Sequence, residues 1–181
     1  MTETAGIEAS LRHSREATVL AHLAAENQQD VDATLATFKS GAARTELPGG
    51  EIADGPRAVA ETYRELFTAL PDVRFDDVDP GSLCHHGDRV ICESRIRGTH
   101  QGQFRGLPPT GRQIDLPVVA IFQFDGPDLL SERAYYDRLT LFIQLGVARD
   151  PNTLAGRFTT LLNHPMTFAR AVLRSRKVGN T

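Results

Sequence analysis

Apolar positions change period along this chain. Over the first seventy residues they recur every three to four positions, and from the mid-eighties to the mid-130s they alternate. Ala17, Leu20, Leu23 and Ala24 predict a first helix. Asp30 can cap a second that carries Val31, Leu35 and Phe38 at i, i+4 and i+7. ARTEL and EIAD around Pro48-Gly49-Gly50 read as two short strands. Proline sits inside the first turn at Asp54-Gly55-Pro56, and Val59, Tyr63, Leu66, Phe67 and Leu70 then form one stripe, which Pro71 ends. VRFDDVDPGSLCHH and DRVICESRIRGTH flank a turn at Gly87-Asp88. On the second of these, Val90, Cys92, Ser94 and Ile96 share one face while Glu93, Arg95 and Arg97 share the other.

A run rich in glycine and proline, GTHQGQFRGLPPTGR from Gly98 to Arg112, separates that strand from QIDLPVVAIFQF. Such a segment cannot be helical and reads as a long shaped hairpin loop. A third strand, LLSERAYYD, ends on Asp137 where a helical pattern, RLTLFIQLG, begins. Helices followed by long antiparallel strands imply an α+β layer fold with helices on one face of a curved sheet. Residues 1–13 have no period and are expected to fray, residues 14–146 to form the domain, and residues 147–181 to extend it as two amphipathic pieces parted near Pro165.

The totals narrow the field. At 181 residues the chain fits one domain with a proper core, and a net charge of −3 with interspersed signs gives no nucleic-acid footprint. The exception is the cluster Arg170, Arg174, Arg176 and Lys177, which reads as a solvated helix end. Two cysteines, no leader pattern and no apolar run of membrane-spanning length point to a cytoplasmic, membrane-independent protein. Cys84, His85 and His86 are adjacent on a strand and so face alternately, which argues against a metal site. Phosphate-loop, dinucleotide and serine-elbow motifs are absent from the sequence, so no cofactor is expected.

Gly98, Thr99, His100, Gly102, Phe104, Gly106 and Pro108 to Arg112, the AIFQF strand, then Tyr136, Asp137, Leu139 and Gln144 to Gly146 resemble the SnoaL-like polyketide cyclase family of the nuclear transport factor 2-like superfamily. The resemblance spans Glu16 to Gly146. It implies a cone-shaped fold, a curved mixed or antiparallel sheet with the N-terminal helices packed over a pocket. It also implies intramolecular aldol chemistry driven by an aspartate at the position of Asp137. Arg133 departs from the aromatic residue expected there.

The candidate catalytic residues are therefore Asp137, placed by alternation on one strand face with Arg133 and Tyr135, and His100, whose imidazole titrates near neutrality. Helix capping by Asp137 and a structural role for His100 are the bland alternatives. Tyr63, Gln123, Arg133 and Tyr135 are candidate substrate-binding groups, although the helix stripe also explains Tyr63 as core. An aspartate near its ordinary pKa of ~3.9 is a weak base, so the site must bury it or take an acidic C–H. The expected activity is a cofactor-free cyclase or isomerase acting on a hydrophobic, carbonyl-bearing small molecule, in a homodimer. Two other readings compete: a non-catalytic binding or interaction module, and an epoxide hydrolase using Arg95 or Arg133 with Asp115 and Asp137.

Overall fold

The computed structural model describes residues 2–76, 78 and 83–178, in two compact units, Met1–Arg138 and Leu139–Thr181. In the first unit, α1 (Thr2–Asn27) and α2 (Val31–Ala36) precede the hairpin of β1 (Arg44–Leu47) and β2 (Glu51–Asp54). Then come α3 (Pro56–Ala69), β3 (Arg74–Asp76), β4 (Cys84–His86), β5 (Arg89–Thr99), β6 (Gln113–Asp125) and β7 (Asp128–Tyr135). Asp30 caps α2 as its sequence position suggests, accepting the Ala33 N–H at 2.9 Å. Part of the segment read as the strand before Cys84, residues 77 and 79–82, lies outside the described residues.

The strands form one mixed, seven-stranded sheet in the order β2-β1-β7-β6-β5-β3, with β4 also on β5. All pairings are antiparallel except β1 with β7, where Thr45 lies opposite Glu132. The α+β layering expected from the two periodicities is what forms. Helices α1 and α3 pack on the face that carries Val90, Cys92, Ile96, Leu116, Val118 and Phe122. Burying each large side chain there stabilises the fold by about 1.5–3 kcal/mol.

The phase of α1 differs from the sequence reading. Ala17 and Ala24 are exposed, whereas Val19, His22, Leu23 and Glu26, at i, i+3, i+4 and i+7, are buried. Two polar residues occupy the core-facing stripe, so a count of apolar residues alone selects the wrong face.

The loop between β5 and β6 is held against the end of α3. The N–H groups of Gln101 and Gly102 both donate to the Ala69 carbonyl, at 2.9 and 3.1 Å. A Cβ at Gly102 would run into the Thr68 carbonyl, so this approach requires glycine.

The second unit begins one residue into α4 (Arg138–Gln144) and also contains α5 (Leu154–Asn163) and α6 (Pro165–Val178), parted at Pro165. Thr153 caps α5 by accepting the Gly156 N–H at 3.0 Å. No helix among the described residues is long and apolar enough to cross a membrane.

Candidate active site

Alternation along β7 sorts its ionisable residues into two environments. Glu132 turns toward the helices and is 8% exposed, whereas Arg133 and Tyr135 turn outward and are exposed. Asp137, two positions further on in the outward row, is also exposed. The enclosed carboxylate of this strand is therefore Glu132 rather than the aspartate at its end. Arg133 makes its ion pair across to β1. Its Nε donates to Glu46 at 2.6 Å, and Glu46 also pairs with Arg44 at 3.1 Å.

The remaining sequence candidates scatter. Gln123 faces outward, accepting from Arg89 at 2.9 Å and donating to the Asp88 carbonyl at 3.2 Å, so it is not positioned to orient a ligand on the inner face. Arg95 and Asp115 form an outward pair at 2.7 Å, joined by Arg97 at 3.3 Å. His100 is buried, and the N–H and hydroxyl of Thr110 lie 3.2 and 3.1 Å from its Nδ1. Those contacts tie the start of the loop to its end. In register Val90 lies opposite Phe122, and Phe122 opposite Glu132. His100 is ten residues beyond Val90, which places it roughly 30 Å along the sheet from Glu132.

Tyr63 is the one candidate that falls in a buried polar cluster. Its hydroxyl donates to Glu132 at 2.9 Å and lies 3.0 Å from His22 Nε2. His22 Nε2 is in turn 3.6 Å from both Glu132 and Glu26. His22 and Glu26 come from α1, Tyr63 from α3 and Glu132 from β7, so helix-on-sheet packing assembles the site. Phe38 and Phe122 present their rings edge to face with His22, at 5.2 and 5.6 Å, and Phe67 stacks on Tyr63 at 5.8 Å. This aromatic wall keeps the local dielectric low.

Hydrogen bonding fixes the proton inventory. Thr37 donates its hydroxyl proton to the Thr34 carbonyl at 2.7 Å, so it accepts from His22 Nδ1 at 2.7 Å. With Tyr63 donating to Glu132, His22 Nε2 must donate as well, which makes the ring an imidazolium. Burial opposes that charge, but Glu26 and Glu132 outweigh it and carry the His22 pKa up to about 10. Burial, and then the charge of Glu132, push the Glu26 carboxyl upward. Burial with the two glutamates raises Tyr63 far above its usual range and takes the Cys92 thiol up to about 11. One proton can move between two arrangements, imidazolium with carboxylate or imidazole with carboxylic acid, by reversing the Tyr63 hydroxyl.

The ligand atoms of His22, Glu26 and Glu132 lie within 4.8 Å of one another, close enough to hold a cation. The proton on His22 already supplies positive charge, and Tyr63 bridges His22 and Glu132, so these two members are tied together by hydrogen bonds. Access is uneven. The side chain of Glu132 is 11% exposed against 3% for Glu26 and none for His22, so Glu132 is the member a ligand meets first. A separate open groove of about 380 Å³ between β2 and α3, lined by Leu47, Ile52 and Ala58 among others, includes none of these residues.

His22, Glu26 and Glu132 escape a sequence reading because two sit on a helix stripe assumed apolar and the third is one residue out of phase with the row counted back from Asp137. The available signal was the i, i+4 spacing of His22 and Glu26 around Leu23.

Comparison with known proteins agrees with this architecture. A 1.40 Å structure of a candidate SnoaL-like polyketide cyclase from Jannaschia sp. CCS1 superposes with a TM-score of 0.67 at 21% identity, covering 76% of this chain and 94% of that one. A candidate polyketide cyclase from Xanthomonas campestris pv. campestris gives 0.67 at 22%, covering 75% and 98%. A protein of ketosteroid isomerase-like fold from Catenulispora acidiphila gives 0.61 at 17%, covering 72% and 92%. At these identities the likeness establishes the nuclear transport factor 2-like, ketosteroid isomerase-like fold. Among curated protein sequences, none matches this chain. The family described as SnoaL-like polyketide cyclase matches residues 16–145, and the chain belongs to that family.

Proposed function

We propose that this protein is a cofactor-free cyclase or isomerase that acts on a hydrophobic, carbonyl-bearing small molecule by proton transfer at Glu132. The observation that carries the proposal is the enclosure of Glu132 on the inner face of β7, hydrogen bonded to Tyr63 and within 3.6 Å of His22. A carboxylate held out of water beside an imidazolium can remove a proton from carbon, because the enolate that forms stays next to positive charge. Tyr63 lets the cluster redistribute the proton without solvent. Membership of a cyclase family supports the reaction class, and the aromatic wall supports an apolar substrate.

The test is hydrogen–deuterium exchange at the carbon next to the carbonyl of simple aryl ketones, followed by NMR in heavy water. Wild-type protein is expected to accelerate the exchange. Glu132→Gln keeps the shape, removes the base and should slow exchange about 10²–10⁴-fold. Asp137→Asn should leave the rate essentially unchanged. Exchange that survives Glu132→Gln and is abolished by Asp137→Asn would return the catalytic role to the exposed aspartate.

A further inference from the structure

Charge counting distinguishes the two buried glutamates. One imidazolium, His22, faces two carboxyl groups in a region largely closed to water, so it can balance only one of them. Glu132 receives the Tyr63 hydroxyl and sits in register with Thr45, whereas Glu26 has one oxygen, Oε2, that is buried and without a partner among the described residues. The hydroxyl of Thr45 is likewise buried and unpartnered. Thr45 is 4% exposed and shares the inner face with Glu132. Two orphaned polar atoms therefore adjoin the same carboxylate, one from α1 and one from β1. Buried polar groups are nearly always satisfied, so such a pair calls for an explanation.

We infer that Glu26, held as a neutral carboxylic acid, and Thr45 form the oxygen-binding subsite of this cluster, taking the carbonyl oxygen of an enolisable ketone whose α-carbon faces Glu132. This assignment rests on the Glu132 reading above and extends it, dividing base and acid between the two glutamates. The direction of the Glu26 shift, upward through burial and the charge of Glu132, agrees with the charge count. Among the described residues, the titratable groups that act on Glu26 are Glu132, His22 and Tyr63, with the Cys92 thiol also within their field, and none of these four is a second cation.

The chemistry balances without a co-reactant. Glu132 takes the α-proton, the C–H pair becomes the carbon–carbon π bond of an enol, and the carbonyl oxygen takes the proton of Glu26. In ring closure the enol proton returns to Glu26 while the enol carbon bonds to a second carbonyl carbon within the molecule. The oxygen of that carbonyl takes the proton held by Glu132, which restores both groups.

Two measurements on the full chain test the subsite. In ligand-free protein with ¹³C-labelled glutamate, one carboxyl resonance should keep its protonated position at pH 7 and vanish in Glu26→Gln. An ionised Glu26 at pH 7 would overturn the assignment even where Glu132 proves to be the base. Carbonyl-labelled acetophenone, a flat apolar ketone, should bind with its carbonyl infrared band displaced to lower frequency. Affinity should fall about ten-fold in Thr45→Val and in Glu26→Leu, as one lost hydrogen bond implies, and stay near wild type in Glu26→Gln. Absence of binding to wild type, or a band and affinity unaltered in Thr45→Val and in whichever Glu26 variants fold, would overturn it. A protonated Glu26 that binds acetophenone without any α-exchange would uphold the subsite and sink the catalytic reading.

Discussion

The two faces of β7 carry similar residues and differ in everything those residues can do. On the outer face Arg133 meets Glu46 at 2.6 Å with both groups reaching water, and neighbouring strands repeat the arrangement in Arg95, Asp115 and Arg97. On the inner face Glu132, Tyr63 and His22 meet at 2.9–3.6 Å with almost no solvent. The outer contacts are as short as the inner ones. Water screens the first set and is excluded from the second, so separation alone does not identify a functional site. Solvent exclusion converts an ordinary ion pair into a group of perturbed proton affinity.

The contrast is sharpest for substitutions. His22→Leu leaves two buried carboxyls with no cation and should cost about 3–5 kcal/mol of folding stability, measured by urea unfolding. Stability in Glu132→Gln close to that of His22→Leu would show the charges to be tightly coupled. A His22→Leu protein as stable as wild type would remove the distinction between the faces.

Stability depends on pH through the same buried cluster. The folded-state pKa of His22 is raised from 6.5 to about 10, so its contribution is complete below about 6.5 and is lost as pH climbs toward 10. Glu26, also raised, acts in the same sense, starting from the ordinary carboxylate range upward. The melting temperature of wild type should therefore fall across the interval from pH 6.5 to 10, with a shallower decline in His22→Leu. Equal slopes would mean that the histidine is not charged in the folded protein.

Smaller effects follow. Tyr63→Phe removes the bridge between Glu132 and His22 and should cost about 1–3 kcal/mol by leaving buried polar atoms unpaired. It should also slow the ketone exchange. On the outer face, Arg133→Ala should change stability by about 0–1 kcal/mol, and added salt should diminish even that.

Much of the architecture was legible because it follows from periodicity and turn chemistry. The Asp30 cap, the strand boundaries at Thr99 and Gln113, the turn at Gly87-Asp88 and the helix break at Pro165 are each written in a few adjacent residues. The face assignment on β5 was also legible, since Val90, Cys92 and Ile96 alternate cleanly with Glu93, Arg95 and Arg97. The site was not, for a related reason. His22, Glu26 and Glu132 break the pattern that makes faces readable, and a polar residue on a buried stripe looks like a residue on the wet one. Asp137 drew attention because it ends a strand, where the sequence offers no test of which way it turns.

The order of helices and strands, the turn at Gly87-Asp88 and the alternation of each strand are local properties, set by backbone sterics and by side chains a few positions apart. Which alternate row faces inward, and which distant groups share a proton there, was decided only when α1, α3 and β7 came together. Burial is a property of the assembled molecule, and proton affinity depends on burial and on charges that lie up to 110 residues away along the chain, as Glu132 does from His22.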